Sequence, residues 1–110
     1  MDTKQKIIEN LKAWIKKTDV INYDDSFDSL GWEKGFKVYD KKLETLRDGK
    51  TQKEVYVVSF KTQDYVEYDM KGEITSLMEG MYCFAYFDAQ TLELLYIHKK
   101  AGYIEPDGSF

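Results

Sequence analysis

At 110 residues the chain has the length of one α+β domain spanning 1–110, and 43% hydrophobic with 33% charged residues is the composition of a compact globule, not of a disordered segment. A formal net charge of −4 argues against general phosphate-backbone binding, which needs clustered Lys and Arg, so nucleic acid is not an expected partner. The single cysteine, Cys83, excludes an internal disulfide, and no apolar run approaches the ~20 residues of a bilayer span, so we expect a cytoplasmic protein with no membrane partner.

The charge is unevenly spread. Residues 1–17 hold five lysines against Asp2 and Glu9, a balance of +3, which leaves −7 for the remainder. In the same segment Ile7, Ile8, Leu11, Trp14 and Ile15 recur at helical spacing, which predicts an amphipathic helix over 3–18 with one apolar stripe. Asp2 or Thr3 can cap its start, and Lys16 and Lys17 suit its C-terminal dipole. Residues 19–35 have no period. Asp24, Asp25, Asp28, Gly31 and Gly35 mark a loop, with Tyr23, Phe27, Leu30 and Trp32 available to pin it to the core.

From Phe36 to about Leu46 the chain reads as a strand, and Asp48-Gly49 predicts a hairpin turn into a second strand from Lys53 to about Thr62. Residues 63–80 are irregular and acidic: five acids stand against Lys71 over 64–79. Here Ile74, Leu77 and Met78 suit a short helical turn, or else 65–69 prolongs the preceding strand past a bulge. The clearest hairpin follows, with Met81–Phe87 and Leu92–His98 as strands around the turn Asp88-Ala89-Gln90-Thr91. Residues 101–110 read as a tail.

This order, helix then hairpin, connection and hairpin, predicts an N-terminal helix packed on a curved four-stranded antiparallel sheet. Successive strand residues point to opposite faces. Met81, Cys83, Ala85 and Phe87 are therefore expected toward the helix and Tyr82, Phe84 and Tyr86 away from it, joined there by Tyr56, Val58 and Phe60. One helix covers one face only, which leaves loops, a protein partner or a homodimer through the sheet to cover the other.

The layout and the segment Phe87-Asp88-Ala89-Gln90-Thr91-Leu92-Glu93-Leu94-Leu95 resemble the last hairpin of cystatin-like and NTF2-like small bacterial proteins. Toxin-immunity proteins with the same short, acidic build are among them. The resemblance implies a helix cradled by a curved sheet and brings no functional residue with it. Those hairpins often carry Gly after the Thr, where this chain has Leu92.

Catalytic machinery is sparse. His98 is the only histidine and sits beside Lys99 and Lys100, which disfavour imidazolium and repel a metal ion. Cys83 lies between Tyr82 and Phe84 in an apolar strand, where a thiol stays protonated. Asp24, Asp25 and Asp28 lack the further ligands of a calcium loop. No phosphate loop, nucleophile triad or paired CxxC occurs, so neither metal nor cofactor is expected.

The alternation Asp64-Tyr65-Val66-Glu67-Tyr68-Asp69 instead suits a recognition edge, because Tyr anchors interfaces and acids speed encounter with a basic partner. The expected function is non-enzymatic: an acidic immunity protein or inhibitor occluding a basic toxin domain. Its partner-binding residues would be Asp24, Asp25, Asp28, Asp64, Tyr65, Glu67, Tyr68 and Asp69. The alternative is an NTF2-like domain, a binding module or an enzyme, that takes a small ligand in a pocket between helix and sheet.

Overall fold

The structure, a computed structural model, describes residues 2–23, 36–63, 65–78, 80–100 and 102–110. Helix α1 (Thr3–Thr18) begins at Asp2, whose carboxylate accepts the Gln5 amide hydrogen at 2.8 Å. It stops at Asp19, which takes a left-handed φ of 52° and donates its amide to the Ile15 carbonyl at 2.9 Å. Ile7, Leu11 and Ile15, each four residues apart, are its buried stripe.

The strands are β1 (Lys37–Val38), β2 (Lys42–Thr45), β3 (Gln52–Lys61), β4 (Tyr65–Tyr68), β5 (Ile74–Met78), β6 (Tyr82–Asp88), β7 (Leu94–Lys99) and β8 (Gly102–Ile104). β1 and β2 share one edge of β3, pairing with its far and near halves, and are the predicted 36–46 strand broken at residues 39–41. The Asp-Gly turn forms as expected. Asp48 accepts the amides of Lys50 and Thr51, and Gly49 supplies the positive φ of 72°.

The antiparallel order runs from β1 and β2 through β3, β6 and β7 to β8. The main sheet thus has six strands where four were expected, and it is not curled. The extra strand at the far edge comes from the tail: β8 pairs Ile104 with Ile97 and Tyr103 with His98. Trp14 anchors the residues that follow by donating its indole N–H to the Pro106 carbonyl at 2.7 Å.

Ile7, Leu11 and Ile15 pack on Val58, Phe60, Cys83, Ala85, Phe87, Ile97 and Ile104. The assignment of Met81's strand holds for Cys83, Ala85 and Phe87. For β3 it reverses: Val58 pairs with Ala85 and Phe60 with Cys83, and cross-strand partners share a face. Val58 and Phe60, with Tyr56, therefore face the helix, and Val55, Val57 and Ser59 face away. Register decided what residue type could not, because β3 is apolar on both sides.

Candidate docking surfaces

Two surfaces stand apart from the core. The first is an arm. In the main sheet Lys61 pairs with Tyr82; four residues further along, Tyr65 pairs with Met78, four residues back on the return strand. β4 and β5 form a two-stranded sheet of their own, in the register the β3–β6 ladder would have if it ran on; at the end of that ladder Thr62 donates its amide to the Met81 carbonyl and accepts Met81's amide on its hydroxyl, both at 2.9 Å. Residues 65–68 are a strand of their own, not a prolongation of β3, and the helical turn considered around Ile74, Leu77 and Met78 is replaced by β5.

Val66 pairs with Leu77 and Tyr68 with Ile74, so these four share one side of the arm. A bulge between Glu67 and Tyr68 accommodates Thr75, whose hydroxyl donates to the Glu67 carbonyl at 3.3 Å. The apex is held firmly. Asp69 accepts the amides of Lys71 at 2.8 Å and Glu73 at 3.0 Å, and Gly72 takes a φ of 82°. On this rigid frame Tyr68, Ile74 and Leu77 are about 60% exposed and Met70 is wholly so.

Asp24, Asp25, Asp28 and Asp64 lie outside the described residues. The structure brings Tyr65, Glu67, Tyr68 and Asp69 together on the arm, in distinct positions. Tyr65 pairs through its backbone, Glu67 lies on the side opposite Val66 and Tyr68, and Asp69 is committed to its turn. Sequence reasoning missed Met70, Ile74 and Leu77. The signal was present: the same-parity pair Val66 and Tyr68, a Gly-bearing turn, and an apolar return strand.

The second surface is the sheet face that the helix leaves uncovered. Phe84 sits between Ser59 and His98, and Tyr86 between Val57 and Tyr96. From Tyr86 runs a chain of rings: Tyr86 stacks on Tyr96 at 4.7 Å, Tyr96 meets Tyr103 edge-on at 5.5 Å, and Tyr103 stacks on His98 at 4.8 Å. Arg47 lies over Tyr103 at 4.1 Å and over Tyr96 at 5.4 Å, and pairs with Glu105. Burial among these rings raises the Tyr86 phenol and pushes Tyr96 up to about 12. A depression of about 310 Å³ opens beside them, lined by Tyr39, Lys42, Val57, Phe84, Tyr86 and His98.

Lys53 and Asp88 close this face at 2.8 Å, which holds the Asp88 carboxyl below the usual range. Lys42 pairs with Glu44 at 2.9 Å. Cys83 points to the helix, fully buried, and burial raises its thiol to about 11, so it offers no ready thiolate. His98 is exposed on β7, stacked on Tyr103.

Among the described residues no cluster of three or more His, Cys, Asp or Glu is placed to hold a metal ion, and no helix is long and apolar enough to cross a membrane. Ile7, Leu11, Val58, Phe60, Cys83 and Ala85, all at 0% exposure, pack the helix–sheet seam. Comparison with protein-family models, with curated proteins and with solved structures finds no match to this chain.

Proposed function

We propose that this chain is a non-enzymatic protein-binding module whose β4–β5 arm engages a basic partner, in the manner of an immunity protein shielding a toxin's active site. The observation that carries this reading is the arm: a turn-locked ribbon outside the core that holds Tyr68, Met70, Ile74 and Leu77 in water, with Glu67 on its other side and Asp69 and Glu73 at its turn. A soluble domain seldom keeps such a stripe exposed without an occupant for it. Aromatic and Met side chains supply contact area, and the flanking acids steer a cationic partner.

One helix laid on an antiparallel sheet supports setting the chain beside the cystatin-like and NTF2-like proteins, and its acidity supports the immunity reading. The cytoplasm is the fitting compartment, since Cys83 is a free thiol. No cofactor enters the proposal. Asp24, Asp25, Asp28 and Asp64 enter the proposal by their charge alone.

The test is association with the protein encoded beside this chain's gene, followed by stopped flow. Replacing Glu67 and Glu73 by Lys should slow association about tenfold at low salt, and the difference should fade as ions screen it. Rates that do not change at low salt would remove the electrostatic steering on which the proposal depends.

A further inference from the structure

On the helix-free face, side-chain size changes from strand to strand. Val57 and Ser59 of β3 are small, and Tyr86 and Phe84 beside them on β6 are large. On the other side stands Tyr39, between β1 and β2, whose amide donates to the Val57 carbonyl at 2.9 Å. Large, small and large again leave a hollow of about 310 Å³ over Val57, lined also by Tyr39, Lys42, Phe84, Tyr86 and His98. Its two ends differ in chemistry. By register Lys42 stands beside Val55 at one end, and Phe84 and His98 stand beside Ser59 at the other. At the Lys42 end polar groups converge. Its ammonium donates to Glu44 at 2.9 Å, which raises the lysine above its ordinary pKa, and the phenols of Tyr86 and Tyr39 stand near enough to add to that. An ammonium has three N–H donors, so two remain beyond the one given to Glu44. Lys37 brings a second positive charge, 4.9 Å above the ring of Tyr39. Among the described residues no carboxylate lines the hollow itself.

We infer that this hollow is a binding site for a small planar aromatic carboxylate, its ring laid over Val57 between Tyr39 and Phe84 and its acid group on the Lys42 ammonium. Each part of the ligand answers a part of the wall. Tyr39, Phe84, Tyr86 and His98 favour a flat ring through offset stacking and edge contacts. The volume is at the low end of the range for small-molecule sites, which limits the ligand to one or two rings. The acid is the charge that Lys42 and Lys37 favour, whereas a cation in the same place would meet two ammonium groups. Lys42 already holds one carboxylate oxygen, that of Glu44, so Glu44 competes with the ligand and sets the affinity of the site. The inference involves no residue of the arm, goes beyond partner binding and is tested on the chain alone, so either reading fails without the other.

The experiment is an NMR titration of the isotope-labelled chain with three probes. These are naphthalene-2-carboxylate, its uncharged amide, and cyclohexanecarboxylate, which keeps the charge and lacks the aromatic ring. The aromatic acid should move the signals of Lys42, Val57 and Phe84 to saturation with a Kd of about 1 mM or below. Each of the other two should bind about tenfold more weakly. Lys42→Gln, at an exposed position, should weaken the acid about tenfold and leave its amide unchanged. Glu44→Gln removes the competing carboxylate and should tighten the acid about threefold or more. Val57→Phe fills the floor and should abolish binding. Shifts that do not saturate by about 10 mM overturn the inference. So does an amide that binds as well as the acid, or a Glu44→Gln chain that binds the acid no tighter. Circular dichroism checks that each variant folds, and should Val57→Phe fail to fold, the Lys42 and Glu44 variants decide.

Discussion

Cys83 shows how one buried atom couples this fold to pH. Its thiol lies against the helix with no exposure, and desolvation raises it to about 11, Lys99 pulling weakly the other way. In the unfolded chain the same thiol titrates near 8.5. Below that value both states hold the proton and the group is neutral toward folding. Above it the unfolded chain ionises while the native one does not, so stability falls by up to about 1.4 kcal/mol per pH unit until the native thiol also titrates. Cys83→Ala lacks this loss. Its stability deficit relative to wild type, read from urea melts, should narrow between pH 8.5 and 11; parallel curves would mean that the thiol is not desolvated. Asp69 acts at the same scale but without the core. Asp69→Ala frees the amides of Lys71 and Glu73, which should exchange with deuterium at least about tenfold faster while amides of β3 and β6 keep their protection. Equal acceleration in both regions would contradict an arm that opens independently.

Among the elements, the β6–β7 turn holds the clearest local conflict. Leu92 has a φ of 61°, the left-handed region glycine favours, and it is the position where hairpins of the resembled proteins often carry Gly. Its side chain is half-buried against the core, and its amide donates to Asp88 at 2.8 Å, so packing holds a backbone its residue type resists. Leu92→Ala loses the packing and keeps the strain; Leu92→Gly loses the packing and the strain together. Gly should therefore be the more stable variant by about 1 kcal/mol, the reverse of the usual order, and thermal melts giving Ala the advantage would contradict this backbone assignment. Legibility in the sequence followed how local each signal was. The helix, the Asp48-Gly49 turn and the 88–91 turn were readable because caps, period and turn chemistry act within a few residues. β8 was not, since Gly102–Ile104 is too short to show alternation and exists through its pairing with β7. The facing of β3 was not either, since residues of both parities are apolar and only its register with β6 decides. Of the candidate site, Tyr65–Asp69 reads as a recognition edge, but the spacing of Ile74, Leu77 and Met78 suits a helical turn and not the return strand they form. Its pattern is spoiled by the bulge at Thr75.

For the molecule as a whole, the arm and the core divide the work. Every described member of the buried cluster comes from α1, β3, β6, β7 or β8, and none from residues 66–77. The long axis of 53 Å against a shortest of 21 Å describes a body much longer than it is thick. Stability should accordingly reside in one part and recognition in the other. Phe60→Ala removes a fully buried ring from the helix–sheet seam and should cost about 3–5 kcal/mol, a large share of what a domain this size possesses. Replacing residues 63–80 by Asn-Gly is a far larger edit with a smaller expected cost. Thr62 and Met81 already pair across the ladder, and Asn-Gly closes a two-residue hairpin in the twist that antiparallel strands prefer. The shortened chain should unfold cooperatively within about 4–8 °C of the wild type, the shift that corresponds to roughly 1 kcal/mol. It should also lose the partner binding proposed above. A shortened chain that melts as early as Phe60→Ala would mean that the arm belongs to the folding unit, and its exposed apolar stripe would then need a structural explanation rather than a docking one.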